Sequence, residues 1–407
     1  MPDVSVLDVH LYGNPIATLT LVQGDRTLFA FNQSYIDDAD RPTLSLSFKD
    51  QFGNLLTAFK PIRQVLPPFF SNLLPEGPLR RYLAARAGVK EKREFFLLWI
   101  LGQDLPGALS VHPAAGEALP PQVEEELTMD ERQNMLRFSL AGVQLKFSAL
   151  KNDPKRGGLT IPAEGVGGSW IVKLPSAQYA GVPENEYSMM MIAKAIGMDV
   201  PELQLLDVNA IKGLPDGIGE FKGQALAVRR FDRTTEGPVH MEDFAQVFGV
   251  PPDEKYEHVN YKGIAAVLGI ESGDADVAEF IRRLVFSTLI GNTDMHLKNW
   301  SLLYPDKRTP ILSPAYDLLS TIPYIADEKM ALNYSRTKKM AEFSKDELKH
   351  LAAKAKISEK LVLDTAAETV QRFKQIWADE KANLPLEKKV VGIIDAHAES
   401  IPIYSEV

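Results

Sequence analysis

The segment Gly291-Asn292-Thr293-Asp294-Met295-His296-Leu297-Lys298-Asn299 runs into the apolar stretch Trp300 to Tyr304 and then into Ser313-Pro314-Ala315-Tyr316-Asp317. Together these carry the residue types that phosphoryl transfer from ATP needs. One carboxylate must orient an attacking hydroxyl and take its proton, and an amide oxygen with a second carboxylate must hold Mg²⁺ against the phosphates. Positioning and charge neutralisation do most of the remaining work. Asp294 is the candidate base, and Asn299 and Asp317 are the candidate Mg²⁺ ligands. Hard oxygen donors of this kind suit Mg²⁺ better than a transition metal.

The spacing sharpens the reading. Protein kinases place the catalytic Asp five residues before the Asn, on a loop that follows a helix, and the second Asp beyond a short hairpin. Asp294 and Asn299 are five apart, and Asp317 follows eighteen residues later, past a turn at Pro305–Lys307. Asp, His and Asn also populate loops because they bond their own backbone. It is the helix–loop–strand–Asp arrangement, more than the string itself, that points to chemistry. A cation for the phosphates should stand upstream on a strand. Lys173 closes the apolar run Trp170-Ile171-Val172, and Glu186 on the next helix is a candidate partner for it. Ser139-Leu140-Ala141-Gly142-Val143-Gln144 is a small-residue turn whose N–H groups would approach phosphates. The glycine-rich Gly165-Val166-Gly167-Gly168 reads more simply as a hairpin turn. Arg229-Arg230-Phe231-Asp232-Arg233 stands where a hinge would read adenine, and equally fits a salt-bridge cluster.

These residues need elements to position them. Leu7, Val9 and Leu11 alternate with polar neighbours, Gly13-Asn14 signals a turn, and Ile16–Val22 and Thr27–Phe31 offer further strands. From Pro78 the pattern turns helical, with Gly88 as the stop. Pro120-Pro121 and the acidic run Glu124–Glu126 mark a surface connection, with a boundary near 115–135. Strands are expected at Lys146–Leu150, Ser169–Lys173, Val200–Val208 and Gln224–Arg229, and a helix at Glu184–Ala195 ended by Gly197. Val277, Phe280, Ile281, Leu284, Val285 and Thr288 share one helical face, with Asp276 as N-cap and Gly291 as stop. Ser344 with Glu347 forms a capping-box pattern, and helices follow to about residue 400.

Composition narrows the class. With 407 residues, two or three domains are expected. There is no cysteine, which excludes disulfides, thiolate zinc sites and a thiol nucleophile. A net charge of −9 argues against autonomous nucleic-acid binding. The N-terminus shows no secretory pattern, and the longest strongly apolar run, Phe95–Leu101, is far short of a membrane span. A cytoplasmic protein with no membrane partner is the expectation.

The ordered motifs resemble the HipA family of serine/threonine kinases, toxins of bacterial toxin–antitoxin pairs. They are Phe69-Phe70-Ser71-Asn72-Leu73-Leu74-Pro75-Glu76-Gly77, Leu101-Gly102-Gln103-Asp104 with Gly107-Ala108-Leu109, Ser139–Lys146, Ile171-Val172-Lys173-Leu174-Pro175, Glu184-Asn185-Glu186-Tyr187, Arg230–Arg233, Asp294–Asn299 and Tyr316-Asp317. The resemblance implies an α+β, two-lobed protein-kinase-like fold with an added N-terminal β-rich subdomain (1–125). An ATP-binding part (126–235) and a mostly helical lobe with the catalytic loop (236–407) would follow.

It further implies Asp294 as catalytic base, Asn299 and Asp317 on Mg²⁺, and Lys173 on the phosphates. The turn Ala141, Gly142, Val143, Gln144 and Leu145 with Lys146 would cradle them. Arg229, Arg230 and Phe231 would line the adenine site, with His296, Lys298 and Tyr316 in the nucleotide site. Ser139 matches the family's autophosphorylated, inactivating serine. At Arg229 some relatives carry an acid. The implied cofactors are ATP and Mg²⁺, and the implied partners a Ser/Thr protein substrate and a small HipB-like DNA-binding antitoxin that would make most of the DNA contact. The family's best-known target is glutamyl-tRNA synthetase, so an aminoacyl-tRNA synthetase is a candidate substrate. A lipid or small-molecule kinase on the same loop, and a non-catalytic pseudokinase subunit of a repressor complex, are the alternatives.

Overall fold

The computed structural model describes residues 6–86, 88–102, 104–114, 146–151, 159–160, 168–176, 178–214 and 221–407. The alternation at the N-terminus yields β1 (Val6–Leu11), β2 (Asn14–Val22), β3 (Arg26–Phe31), β4 (Ile62–Arg63) and β5 (Leu109–Pro113). They form one antiparallel sheet in the order β4-β3-β2-β1-β5. Leu7, Val9 and Leu11 are fully buried, in a core shared with Phe29, Phe70 and the helix Glu94–Leu101 that contains the long apolar run.

The first turn sits one residue earlier than the sequence suggests. Tyr12 and Gly13, at φ 54 and 77, are its central residues. A two-residue hairpin of this kind needs φ > 0 at both positions, which a tyrosine ordinarily avoids. Tyr12 is held there by tertiary contacts: its hydroxyl donates to the Tyr304 carbonyl (3.3 Å) and accepts from the His240 N–H (3.1 Å).

A second sheet contains β6 (Lys146–Lys151), β7 (Leu159–Thr160), β8 (Trp170–Lys173), β9 (Leu203–Asp207), β10 (Ile211–Lys212) and β11 (Gln224–Arg229), ordered β10-β7-β6-β8-β11-β9. The helix Val182–Ile196 packs on it and stops at Gly197, φ 104. A small hairpin, β12 (Arg233–Thr234) with β13 (Gly237–Pro238), leads to β14 (His240–Asp243), which pairs with β15 (Ser301–Tyr304) and β16 (Ile311–Leu312). The rest is helical: Tyr261–Glu271, Asp274–Leu289, Lys345–Ala355, Glu359–Glu380 and Lys388–Ser400, with Phe280, Leu284 and Val285 at the centre of the largest core. The architecture is mixed α+β, as expected. Among the described residues no helix is long and apolar enough to cross a membrane.

Two caps differ from expectation. The central helix begins at Asp274 with Gly273 as N-cap, and the Asp276 carboxylate instead accepts from the Leu312 N–H at 2.7 Å, tying helix to hairpin. Ser344 does cap Glu347 N–H, but the Glu347 carboxylate turns to Arg336 and the Ser335 N–H, so the reciprocal half of the box is absent. The boundary expected near 115–135 lies outside the described residues.

The N-terminal segments around Ser45 and Gly107 dock on the β14–β15–β16 sheet through close backbone and buried polar contacts. Gly107, at φ 75, brings backbone so close that a Cβ there would lie 2.6 Å from the Met241 nitrogen. Glu242 is buried and accepts from Ser45 Oγ (2.5 Å), the Leu46 N–H (3.0 Å) and the Tyr304 hydroxyl. Burial pushes its carboxyl up to about 7 despite those donors. A carboxyl with a raised folded-state pKa binds its proton more tightly when folded, so its contribution to stability falls as pH rises from about 4.5 through 7. Removing the titration should therefore show as a trend. The melting temperature of Glu242→Gln minus that of the unmodified chain should rise with pH between 5 and 8. A flat difference would mean that Glu242 does not titrate in this window.

Candidate active site

The central helix ends at Gly291, φ 67, where a Cβ would meet Ile322 at 2.5 Å. The chain then turns through Asp294 into a short 3₁₀ turn, Leu297–Asn299, and β15. Small local bonds fix this loop. Asn292 Oδ1 accepts from the Asp294 N–H (3.2 Å), and the Asp294 carbonyl accepts from the His296 N–H (2.7 Å) and from Asn299 Nδ2 (2.8 Å). The Thr293 N–H donates to Thr321 Oγ1 at 2.8 Å. The Asp294 carboxylate accepts from the Tyr256 hydroxyl at 2.7 Å. Burial pushes the Asp294 carboxyl up to about 6, against the opposing pull of Tyr256 and Lys255. A raised carboxylate in a cleft is a functional-site signature when a specific geometry accompanies it.

Asp317 stands beyond the β15–β16 hairpin at φ 54. A non-glycine residue in the left-handed region costs of order 1 kcal/mol and persists only where its surroundings impose it. Asn292 Nδ2 donates to the Asp317 carbonyl at 3.3 Å, and the Asp317 carboxylate pairs with Lys173. Lys173, at the end of β8, also pairs with Glu186 on the Val182–Ile196 helix, the partner suggested by the sequence. Burial would lower the Lys173 pKa, yet Asp317 and Glu186 together raise it above its ordinary value. The neighbouring Asn185 is fully buried. Its Nδ2 donates to the Ser320 carbonyl (3.0 Å), and its Oδ1 accepts from the Ser320 N–H (3.2 Å). One helix thus grips Lys173 with Glu186 and the segment after Asp317 with the preceding residue, Asn185.

These residues fit a Mg²⁺–nucleotide. Asn299 spends its Nδ2 on the Asp294 carbonyl, so Oδ1 is the atom that would meet a cation. Asp317 supplies a carboxylate beside a lysine, the pairing that phosphates and a divalent cation both require.

The other candidates have these surroundings. Arg230 is buried and its guanidinium bonds Asp104 (2.8 Å) and Asp232 (2.8 Å), while Asp232 accepts from the Gly107 N–H at 2.8 Å. The Arg230 side chain thus forms a clamp to the Asp104–Gly107 segment, the salt-bridge cluster that the sequence also allowed. The Arg229 side chain lies outside on Glu202 (3.4 Å), and the N–H groups of Arg229 and Arg230 already donate to the Glu202 and Ser169 carbonyls. The Phe231 ring packs against that of Tyr316, with centroids 5.7 Å apart. The Tyr316 hydroxyl braces Ser301 Oγ (2.6 Å) and the Lys298 carbonyl (2.9 Å). Lys298 turns toward the N-terminal subdomain, pairing with Glu76 at 2.8 Å. His296 packs edge-on to Tyr256 at 5.1 Å, and burial, with Lys255 adding to it, lowers its pKa to about 3, so it is neutral. Lys146 opens β6 opposite Lys173 in register. Ser139 and Ala141–Leu145 lie outside the described residues.

Sequence reasoning missed Tyr256, Lys255 and Asn292. Asn292 lies two residues before Asp294 in a turn-forming string, a signal that could have been read. Tyr256 sits in an irregular polar segment with no periodicity to mark it.

Comparison with known proteins gives a consistent picture. Residues 7–112 match the model of the HipA N-terminal domain, and residues 138–377 that of the HipA-like C-terminal domain. A Sinorhizobium fredii protein named "Putative kinase Y4dM" is 69% identical over 407 residues, covering 100% of this chain and 99% of that one. The "Serine/threonine-protein kinase toxin HipA" of Shewanella oneidensis is 29% identical over 294 residues, 63% of each chain. In solved structures, a chain from the Shewanella oneidensis complex of HipA, HipB and operator DNA superposes with a TM-score of 0.74 at 21% identity, covering 98% of this chain and 96% of that one.

Proposed function

Because this chain belongs to the HipA family, we propose that it is an ATP- and Mg²⁺-dependent serine/threonine protein kinase, the toxin member of a toxin–antitoxin pair. The observation that carries the reading is the joint placement of Lys173, Glu186 and Asp317 in one ion-pair cluster, with Asp294 and Asn299 bonded to each other on the adjacent loop. Asp294 accepts the proton of the acceptor hydroxyl and orients its oxygen. Lys173 would meet the phosphates, and Asn299 and Asp317 would hold Mg²⁺ by oxygen, which would supply charge neutralisation for the phosphoryl group passing from ATP to the hydroxyl as ADP leaves. The tertiary frame supplies most of this preorganisation, since the loop is bonded in place before any ligand arrives.

The Shewanella complex supports a HipB-like, DNA-binding antitoxin as partner. Ser139 is the proposed site of self-modification. A phosphate there adds close to two negative charges near the proposed phosphate turn and should weaken ATP binding. Phosphopeptide mapping should find modified Ser139 in the unmodified-sequence enzyme and not in Asp294→Asn.

The deciding experiment is incubation of the purified chain with γ-labelled ATP, alone and with a bacterial lysate. Label in protein that depends on Mg²⁺ is expected. Label only in lipid or small metabolites would favour the alternative phosphotransferase, and none at all would favour a pseudokinase. ATP with Mg²⁺ should also raise the melting temperature, by RT ln(1 + [L]/Kd) in free energy. Asp317→Ala should lose the Mg²⁺-dependent part of that shift, and an unchanged shift would remove Asp317 as ligand.

A further inference from the structure

The Phe69–Gly77 motif plays no part in the phosphoryl-transfer chemistry above, yet it reaches the catalytic loop. Glu76 Oε2 pairs with Lys255 Nζ at 2.7 Å and Oε1 with Lys298 Nζ at 2.8 Å, and Lys298 Nζ also donates to the Asn72 carbonyl at 3.0 Å. The two lysines stand at the ends of the two pieces of chain that hold Asp294. Lys255 precedes Tyr256, whose hydroxyl donates to Asp294 Oδ1 at 2.7 Å. Lys298 precedes Asn299, whose Nδ2 donates to the Asp294 carbonyl at 2.8 Å.

The contacts close a ring that runs from Glu76 through Lys255, Tyr256, Asp294, Asn299 and Lys298 back to Glu76. Glu76 is the one member from the N-terminal subdomain. Lys255 is only 6% exposed, and Glu76 is the carboxylate that pairs with it there. Glu76 is correspondingly held down to about 2: burial would raise it, but Lys298 and Lys255 outweigh burial. The ring is anchored from outside as well, since Asn72 Nδ2 donates to the Val250 carbonyl at 2.8 Å, close in sequence to Lys255.

We infer that Glu76 and Tyr256 are positioning residues of the phosphoryl transfer, through which the N-terminal subdomain fixes the orientation of the Asp294 carboxylate and presents its second oxygen to the acceptor hydroxyl. A hydrogen bond from a buried hydroxyl to a carboxylate defines a direction as well as an energy. A carboxylate clamped between two cations on different segments fixes the distance between those segments. The kinase part alone would carry every reacting group and still lack this brace.

The inference rests on the reading of Asp294 as the base, so the test includes a control for that reading. The full-length chain is assayed for self-labelling from γ-labelled ATP, measuring the rate at saturating ATP and the ATP concentration that gives half of it. Labelling by the unmodified chain and its loss in Asp294→Asn secure the base, and absence of either would overturn the function reading itself. Tyr256→Phe and Glu76→Gln should each lower the saturating rate about tenfold, the effect of one hydrogen bond to a charged group, with the half-saturating ATP concentration within about twofold. Glu76→Asp should recover part of the loss. Should Glu76→Gln fold poorly, Glu76→Asp and Tyr256→Phe carry the comparison. The double variant should be no slower than the slower single one, because both substitutions act on one carboxylate. Unchanged saturating rates in both single variants, or losses that multiply in the double, would overturn the inference.

Discussion

Asp294→Asn should lower phosphoryl transfer by on the order of 10²- to 10⁴-fold, the range that a positioned general base contributes. The amide can still accept the Tyr256 hydroxyl at the Oδ1 position, and the loop bonds to the Asp294 backbone carbonyl do not involve the side chain. The fold and the ATP-induced melting shift are therefore expected to persist. Stability should in fact improve. Burial holds the Asp294 carboxyl near 6, so at neutral pH the folded state carries a charge that its surroundings only partly compensate. A neutral amide removes that cost, an instance of the trade between activity and stability at catalytic sites. The paired measurement is a labelling rate and a thermal melt at pH 7.5. A rate loss under tenfold, or about 1.4 kcal/mol of barrier, would show that Asp294 is not the base. A fall in melting temperature matching the rate loss would recast it as a structural residue.

The proposed site was legible because its evidence is local. Asp294, Asn299 and Asp317 are ordered along one helix, one loop and one hairpin, and each element announces itself by period: the 3.6-residue face of Val277 to Thr288, then the apolar run of β15. The N-terminal strand was legible for the same reason, since Leu7, Val9 and Leu11 fill one face. The failures share a cause too. Asp276 satisfies the local rule for an N-cap, but a tertiary acceptor role for the Leu312 N–H claimed its side chain and left the cap to Gly273. Tyr12 takes a backbone conformation that local preference disfavours, because two partners near residues 240 and 304 hold its hydroxyl. Arg230 reads equally as part of a hinge and as part of a salt-bridge cluster, and its side-chain partner Asp104 lies 126 residues upstream. Glu76 and Lys255 are 179 residues apart. Polar contacts between distant segments leave no periodic trace, so the braces of the site stayed hidden while its proposed reacting groups were visible.

Lys173→Met should cost roughly 3–5 kcal/mol of stability, the usual consequence of removing one partner from a buried ion pair. Glu186 has 4% of its side chain exposed and Asp317 has 29%, and both would lose the cation that compensates them. The Met side chain approximates the lysine stem in volume, so the loss would be electrostatic and not a cavity effect. Urea unfolding should show a lower midpoint at unchanged slope. The pH dependence identifies the mechanism. Without Lys173, the buried carboxylates should have folded-state pKa values raised above their unfolded ones, and such groups destabilise increasingly as pH rises through that interval. The deficit of the variant should therefore be largest near pH 8 and narrow toward pH 5, where the carboxylates are protonated and no longer need a cation. Labelling from ATP should be lost at every pH, because a neutral side chain cannot meet the phosphates. Lys173→Arg separates the two roles: it keeps the positive charge and much of the stability, but its planar fork replaces a compact ammonium and should not restore transfer. A deficit independent of pH would mean that packing, and not the charge shared with Glu186 and Asp317, is what Lys173 contributes to the fold.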